Sequence, residues 1–178
     1  MEEEKREEEF LKQGNISLIL ESYNDIFSSF DPRPYSERAL SDDFLIECKK
    51  AAQDKKETFE IRLLVEKSKR NLIEEPRIKK RLKEHFQHHF NAKQKEIKGI
   101  KLEGVMWFIL GAIILSIATF IYGNTNFFLK FLEIMLTPAG WFMFWEGLAK
   151  IFITARDKMP EYEFYTKMTN AQITFLSY

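Results

Sequence analysis

The sequence predicts an α+β membrane protein: a transmembrane helical hairpin, a small cytoplasmic α/β unit, and a long helix that continues into the first span. Three observations lead there. Gly104 to Tyr122 reads GVMWFILGAIILSIATFIY, 19 residues without a charge. As a helix it would span ~28 Å, close to the ~30 Å of a bilayer core. A second apolar stretch, Phe127 to Ile153, follows a turn-forming Gly123-Asn124-Thr125-Asn126. Upstream, short segments of period two flank a segment of helical period, the pattern of a small α/β unit.

Along the chain, residues 1–14 form a charge-rich N-terminal arm. MEEEKREEEF has no apolar core and is not expected to be a cleaved secretory signal. Residues 15–75 form the cytoplasmic α/β unit. Ile16, Leu18 and Leu20 alternate as a strand, and a short helical turn is expected over Tyr23 to Phe30. Asp31-Pro32-Arg33-Pro34 is rigid, because each proline fixes its own φ and restricts its predecessor. Ser41 is placed as an N-cap with Asp42 and Asp43 in the first turn, and a helix follows to about Gln53. Its inward stripe is Phe44, Leu45, Cys48 and Ala52. Thr58 to Val65 then alternates as a second strand through Phe59, Ile61, Leu63 and Val65.

Residues 76–103 form a basic juxtamembrane helix. Pro76 suits a first turn, and no further proline occurs before Tyr122. Ile78, Leu82, Phe86 and Phe90 recur every four residues, so this helix needs an apolar partner, either the α/β unit or a neighbouring subunit. Gly99 and Gly104 read as weak points in it. Residues 104–153 form the two-span hairpin. Its second half carries Lys130, Glu133, Pro138, Glu146 and Lys150. Only 12 uncharged residues separate Glu133 from Glu146. That is ~18 Å of helix, too short to span, so a carboxylate is expected at membrane depth. Pro138 is read as the true start of the second span, with Phe127 to Leu136 partly at the interface. Residues 154–178 form a cytoplasmic segment. Its Gln172 to Tyr178 alternates as a third strand, to pair with the strand at Ile16 or at Phe59.

The balanced net charge hides a division. Residues 1–66 hold 10 basic and 17 acidic side chains, whereas residues 67–101 hold 12 basic and 4 acidic. Basic residues thus precede the first span, and Arg156 and Lys158 follow the second. By the positive-inside rule the protein is a two-span cell-membrane protein with both termini cytoplasmic. Cys48 is the only cysteine, so no intrachain disulfide can form.

Few constellations carry chemistry. Glu146 and Lys150, four residues apart, form an expected membrane-embedded charge pair. Lys130 and Glu133 would stand at the mouth of a pore if the chain assembled as a ring. Lys93, Lys95, Lys98 and Lys101 are expected to contact anionic lipid headgroups. His85, His88 and His89 cluster, but two ligands on one helix are not a metal site, and these are read as solvated positions. No phosphate loop, nucleophile elbow or paired-cysteine motif occurs. No catalytic residue, metal or cofactor is therefore expected, and no nucleic acid as partner.

DPRPYSERALSDDFL, Asp31 to Leu45, and GWFMFWE, Gly140 to Glu146, resemble an uncharacterised family of prokaryotic two-span membrane proteins. The resemblance implies a small soluble domain joined to a helical hairpin, and no activity. The expected function is non-catalytic: a membrane protein that self-assembles through its cytoplasmic domain as a homo-oligomer. The alternative is an oligomeric ion channel or pore subunit using Glu133 or Glu146.

Overall fold

A computed structural model describes residues 16–53 and 59–178. The expected arm at 1–14, and Thr58 at the start of the second expected strand, lie outside the described residues. Among the described residues the protein is α+β, with three strands and four main helices. These are β1 (Ile16–Leu20), α1 (Asp42–Ala52), β2 (Glu60–Val65), α2 (Glu74–Ile121), α3 (Phe127–Ala149), α4 (Met159–Asn170) and β3 (Gln172–Ser177). The chain divides into two compact units, Met1–Asn91 with Glu163–Tyr178, and Ala92–Tyr162.

In the first unit the sheet order is β1-β2-β3, and both pairings are parallel. Of the two partners open to the last strand, β3 takes β2. The register stacks Ile16, Ile61 and Ile173 in one row, and Leu18, Leu63 and Phe175 in the next. Period-two alternation therefore becomes one continuous apolar face. Phe44, Cys48 and Ala52 of α1 pack on the same core, as do Phe164 and Met168 of α4. Ile78, Leu82 and Phe86 are fully buried in it too. These three residues of the α2 stripe are thus met by their own domain. Parallel strands need crossovers. The first is α1. The second contains α2, α3 and α4, so the apolar hairpin is an insertion in the β2–β3 connection.

Two local readings change. Ser41 does precede α1 in an extended conformation, but its side chain makes no capping bond. The turn after β1 has the better cap: Ser22 accepts from the Asn24 amide, and Asp25 accepts from the Ser22 amide at 3.0 Å.

The second unit holds two helices long and apolar enough to cross a membrane, within Glu74–Ile121 and Phe127–Asp157. Gly123, at φ +77°, makes the turn between them. Asn126 then caps α3 by accepting from the Phe128 and Leu129 amides. Pro138 does not begin the second helix; it lies inside α3, which starts eleven residues earlier at Phe127. The chain remains helical past Ala149 through a π-helical turn at Lys150–Thr154. Hydroxyls in these helices are satisfied within their own turns: Ser116 donates to the Ala112 carbonyl and Thr119 to that of Leu115, both at 2.8 Å.

Glycines set how closely the hairpin helices approach. A methyl on Gly147 would meet the Phe108 nitrogen at 2.5 Å and the Gly104 oxygen at 2.6 Å. A methyl on Gly111 would meet the Gly140 oxygen at 2.8 Å. Gly104 thus faces Gly147 and Gly111 faces Gly140, seven residues apart on each strand of the hairpin. Small residues are what allow helix backbones to touch where no hydrophobic force drives them together. Gly104 is therefore a packing contact and not a weak point, whereas Gly99 faces open space.

Candidate functional site

The glycine register fixes the level of every charge in the hairpin. Gly147 meets both Gly104 and Phe108 of the facing helix, which brackets Glu146 between the levels of Val105 and Ile109, in the first turns of the uncharged stretch. Glu146 lies one turn before Ala149, the last residue of α3, which begins at Phe127 and not at Pro138. Lys150 Nζ lies 3.8 Å from Glu146 and 3.2 Å from Glu103. The closer partner is thus Glu103, which sequence reasoning missed. Helical spacing suggests Glu146, and only the hairpin apposition reveals the second carboxylate. Lys150 also opens the π-helical turn, so the extra residue of that turn sits beside the three charges.

The same contacts bracket Glu133 between the levels of Ala118 and Tyr122, within about one helical turn of the hairpin loop. Glu133 is half-buried and Lys130 exposed. Their side chains form no ion pair with each other or with any other described residue. Glu133 is therefore the unpaired carboxylate within the apolar part of the hairpin.

Below the hairpin charges, four side chains form an alternating set. Lys93 Nζ lies 2.7 Å from Glu161 and 3.0 Å from Glu96, and Lys158 Nζ lies 3.3 Å from Glu96. The bonds to Glu161 and Glu96 raise the Lys93 pKa. Those from Lys93 and Lys158 hold Glu96 below the usual carboxylate range. Lys93, expected to contact lipid, is committed to these carboxylates. Lys95, Lys98 and Lys101 remain exposed.

In the first unit, Glu75 is not merely a first-turn acid. It is buried, and Arg70 grips it with two bonds of 2.8 and 2.9 Å. The Tyr23 hydroxyl donates to it at 3.0 Å and accepts from the Asn71 amide at 2.8 Å. Burial alone would push the Glu75 carboxyl up; the Arg70 and Tyr23 bonds outweigh that and hold it down. A fully bonded buried pair ties β1's exit to the start of α2, and is a structural lock.

The histidines are not fully solvated as expected. His85 is half-buried, and its Nε2 has no hydrogen-bond partner. Burial, then the neighbouring charges of His89, Arg81 and His88, lower its pKa to about 4. His89 lies 4.4 Å from it, ring to ring, and stacks on Tyr165 at 5.1 Å. Among the described residues no group of three or more potential ligands could hold a metal. Cys48 is buried, and burial pushes its thiol up to about 12, which makes it unreactive at neutral pH.

No family model, curated protein or solved structure matches this chain. The functional reading rests on the geometry above.

Proposed function

We propose that this is a non-catalytic two-span membrane protein that holds a small α+β domain at the cytoplasmic face of the cell membrane and self-associates through it. One observation carries the membrane part. Among the described residues, 19 of the 25 large hydrophobic side chains left exposed fall between Leu102 and Ile153. Phe120 is 92% exposed and Phe127 87%, whereas Leu63 and Val65 of the first unit are fully buried. A soluble protein does not carry such a surface over two adjoining helices; hydrocarbon would cover it. The basic flanks favour the same topology. Self-association is supported by the sheet, whose edge strand β1 presents Ile19 at 71% exposure.

The test is extraction and sizing. The protein should resist alkaline carbonate, need detergent, and migrate as an oligomer. Ile19→Lys should reduce it to a monomer without changing its melting temperature. Release by carbonate would refute the membrane reading, and a monomeric parent protein would refute self-association.

A pore is the second reading, and the unpaired carboxylate of Glu133 favours it. An ionisable group without a partner in an apolar segment is a functional hypothesis by default. If Glu133 lines an ion path, Glu133→Gln in liposomes should abolish cation flux and leave the oligomer intact.

A further inference from the structure

A second charged region lies wholly within the first unit, on the loop of residues 31–38. Asp31 organises it. Its carboxylate accepts from the Arg33 guanidinium at 2.8 and 2.9 Å and from the Ala39 amide at 2.7 Å. These bonds hold the Asp31 carboxyl well below the usual carboxylate range. Two prolines stiffen the same loop. Facing it is a stretch of α2, and between them opens a cleft of about 720 Å³. That volume is in the range of small-molecule sites. Arg33, Arg38, Arg77, Lys80 and Arg81 line it, against only Glu74 and Glu84.

The hydrogen-bond inventory shows which cations are aimed and which are spent. Arginine has five N–H donors in a planar fork. Arg38 gives Nε to the Ser28 carbonyl and Nη1 to Asn24 Oδ1, both at 2.9 Å. Arg81 gives Nε to the Arg38 carbonyl at 2.9 Å. These bonds orient both guanidinium planes. They leave Arg38 Nη2 and both terminal nitrogens of Arg81 without an acceptor among the described residues. Arg77 gives Nη1 to Glu74 at 2.8 Å and keeps its other donors. Lys80 stands 3.8 Å from Glu84, beyond hydrogen-bond length.

We propose that this cleft binds a phosphate ester. Donors converge from two elements, and the lining carries more positive than negative charge. A dianionic tetrahedral group meets both conditions, whereas one carboxylate would leave donors and charge unmet. The space exceeds that of one phosphate, and Pro34 and Tyr35 offer an apolar strip for the esterified part. The ester comes from a lipid headgroup or from a soluble metabolite, and the experiment separates the two.

The full chain is placed in phosphatidylcholine nanodiscs and titrated calorimetrically with inositol trisphosphate. A second arm uses nanodiscs containing phosphatidylinositol bisphosphate, read by hydrogen exchange over residues 31–38 and 74–84. Binding of the soluble probe without protection in the lipid arm assigns a soluble ester; protection in the lipid arm assigns a headgroup. In either arm Arg81→Gln should weaken binding about tenfold, the loss of charge-assisted bonds to one anion. Arg77→Gln should weaken it similarly; its side chain is exposed and anchors nothing but Glu74, so the fold will persist. Lys49→Gln, exposed on α1 and outside the cleft, should change nothing. Absence of binding in both arms overturns the proposal, and so does binding that survives Arg77→Gln and Arg81→Gln.

Discussion

The two units dispose of apolar side chains in opposite ways. In the first, Ile61, Leu63 and Val65 of the central strand are almost wholly removed from solvent by neighbouring strands and helices. In the second, two helices richer in apolar residues leave most of them outward and bring backbone against backbone at Gly104, Gly111, Gly140 and Gly147. The first unit is held by hydrophobic burial. In the second, on the proposed membrane reading, burial against the partner helix has little to gain in hydrocarbon, so close van der Waals contact takes its place. The difference teaches where each unit is vulnerable. Removing volume should break the first, and adding volume should break the second.

The largest effect should come from deleting residues 172–178. β3 pairs with the central strand and buries Ile173 and Phe175 in the core. Two fully buried large side chains contribute about 3–6 kcal/mol, which approaches the whole stability of an ordinary domain. Loss of cooperative thermal unfolding by circular dichroism is expected. A truncated protein that keeps its melting temperature would remove β3 from the folding unit.

Acid should weaken the first unit next. His85 takes a proton at about 4 when folded and at its ordinary value near 6.5 when unfolded. Its folded pKa is depressed, so the unfolded chain binds more protons between those values. Stability therefore falls as pH drops from 6.5 towards 4, by roughly 2 kcal/mol at pH 4.5. Denaturant midpoints measured across this window should show the slope, and His85→Leu should flatten it. An unchanged slope in that variant would assign the effect to other groups, Glu75 first among them.

These two predictions mark what the sequence makes legible. The β3 alternation, the stripe of Ile78, Leu82 and Phe86, and the uncharged run at 104–122 are local periodicities that each element must satisfy alone. The His85 environment is not of that kind. Its neighbour His89 is visible at i+4, but the stacking of His89 on Tyr165 joins residues far apart in the chain. The same holds for Glu75 with Tyr23, which lie 52 residues apart, and for Glu103 with Lys150. The cleft between residues 31–38 and α2 is equally silent in sequence, because no spacing within either segment reports their apposition. The GxxxxxxG spacing at 104 and 111, and at 140 and 147, is by contrast a local signal of close helix approach.

Those glycines give the third prediction. Gly147→Ala inserts a methyl 2.5–2.6 Å from the backbone of the facing helix. Overpacking of this kind costs about 1–3 kcal/mol. The hairpin should open at lower denaturing-detergent fraction, as read by energy transfer between dyes on the two helices. Gly99→Ala has open space and a better helix former, so it should be neutral or stabilising. Equal behaviour of the two variants would mean that the helices do not pack through Gly147.

The smallest effect should come from Glu146, and its value lies in separating two roles. Glu146 is the more distant of two carboxylates beside Lys150, at 3.8 Å against 3.2 Å for Glu103. Both sit at the end of the uncharged stretch, where a charge costs far less than at its centre. Glu146→Gln keeps shape and a hydrogen-bonding head and leaves Glu103 to neutralise Lys150, so the change should be under ~0.5 kcal/mol. Lys150→Met should cost more, about 1 kcal/mol, because it strands two carboxylates on facing helices with no cation between them. Combining Lys150→Met with Glu103→Gln should recover part of that loss; a double variant no better than Lys150→Met alone would show that Glu103 and Lys150 are not coupled. Were Glu146 the dominant partner, as spacing alone suggests, Glu146→Gln and Glu103→Gln would rank the other way. The order of these two small effects, measured in one detergent series, decides whether the hairpin charges act within a helix or across the hairpin.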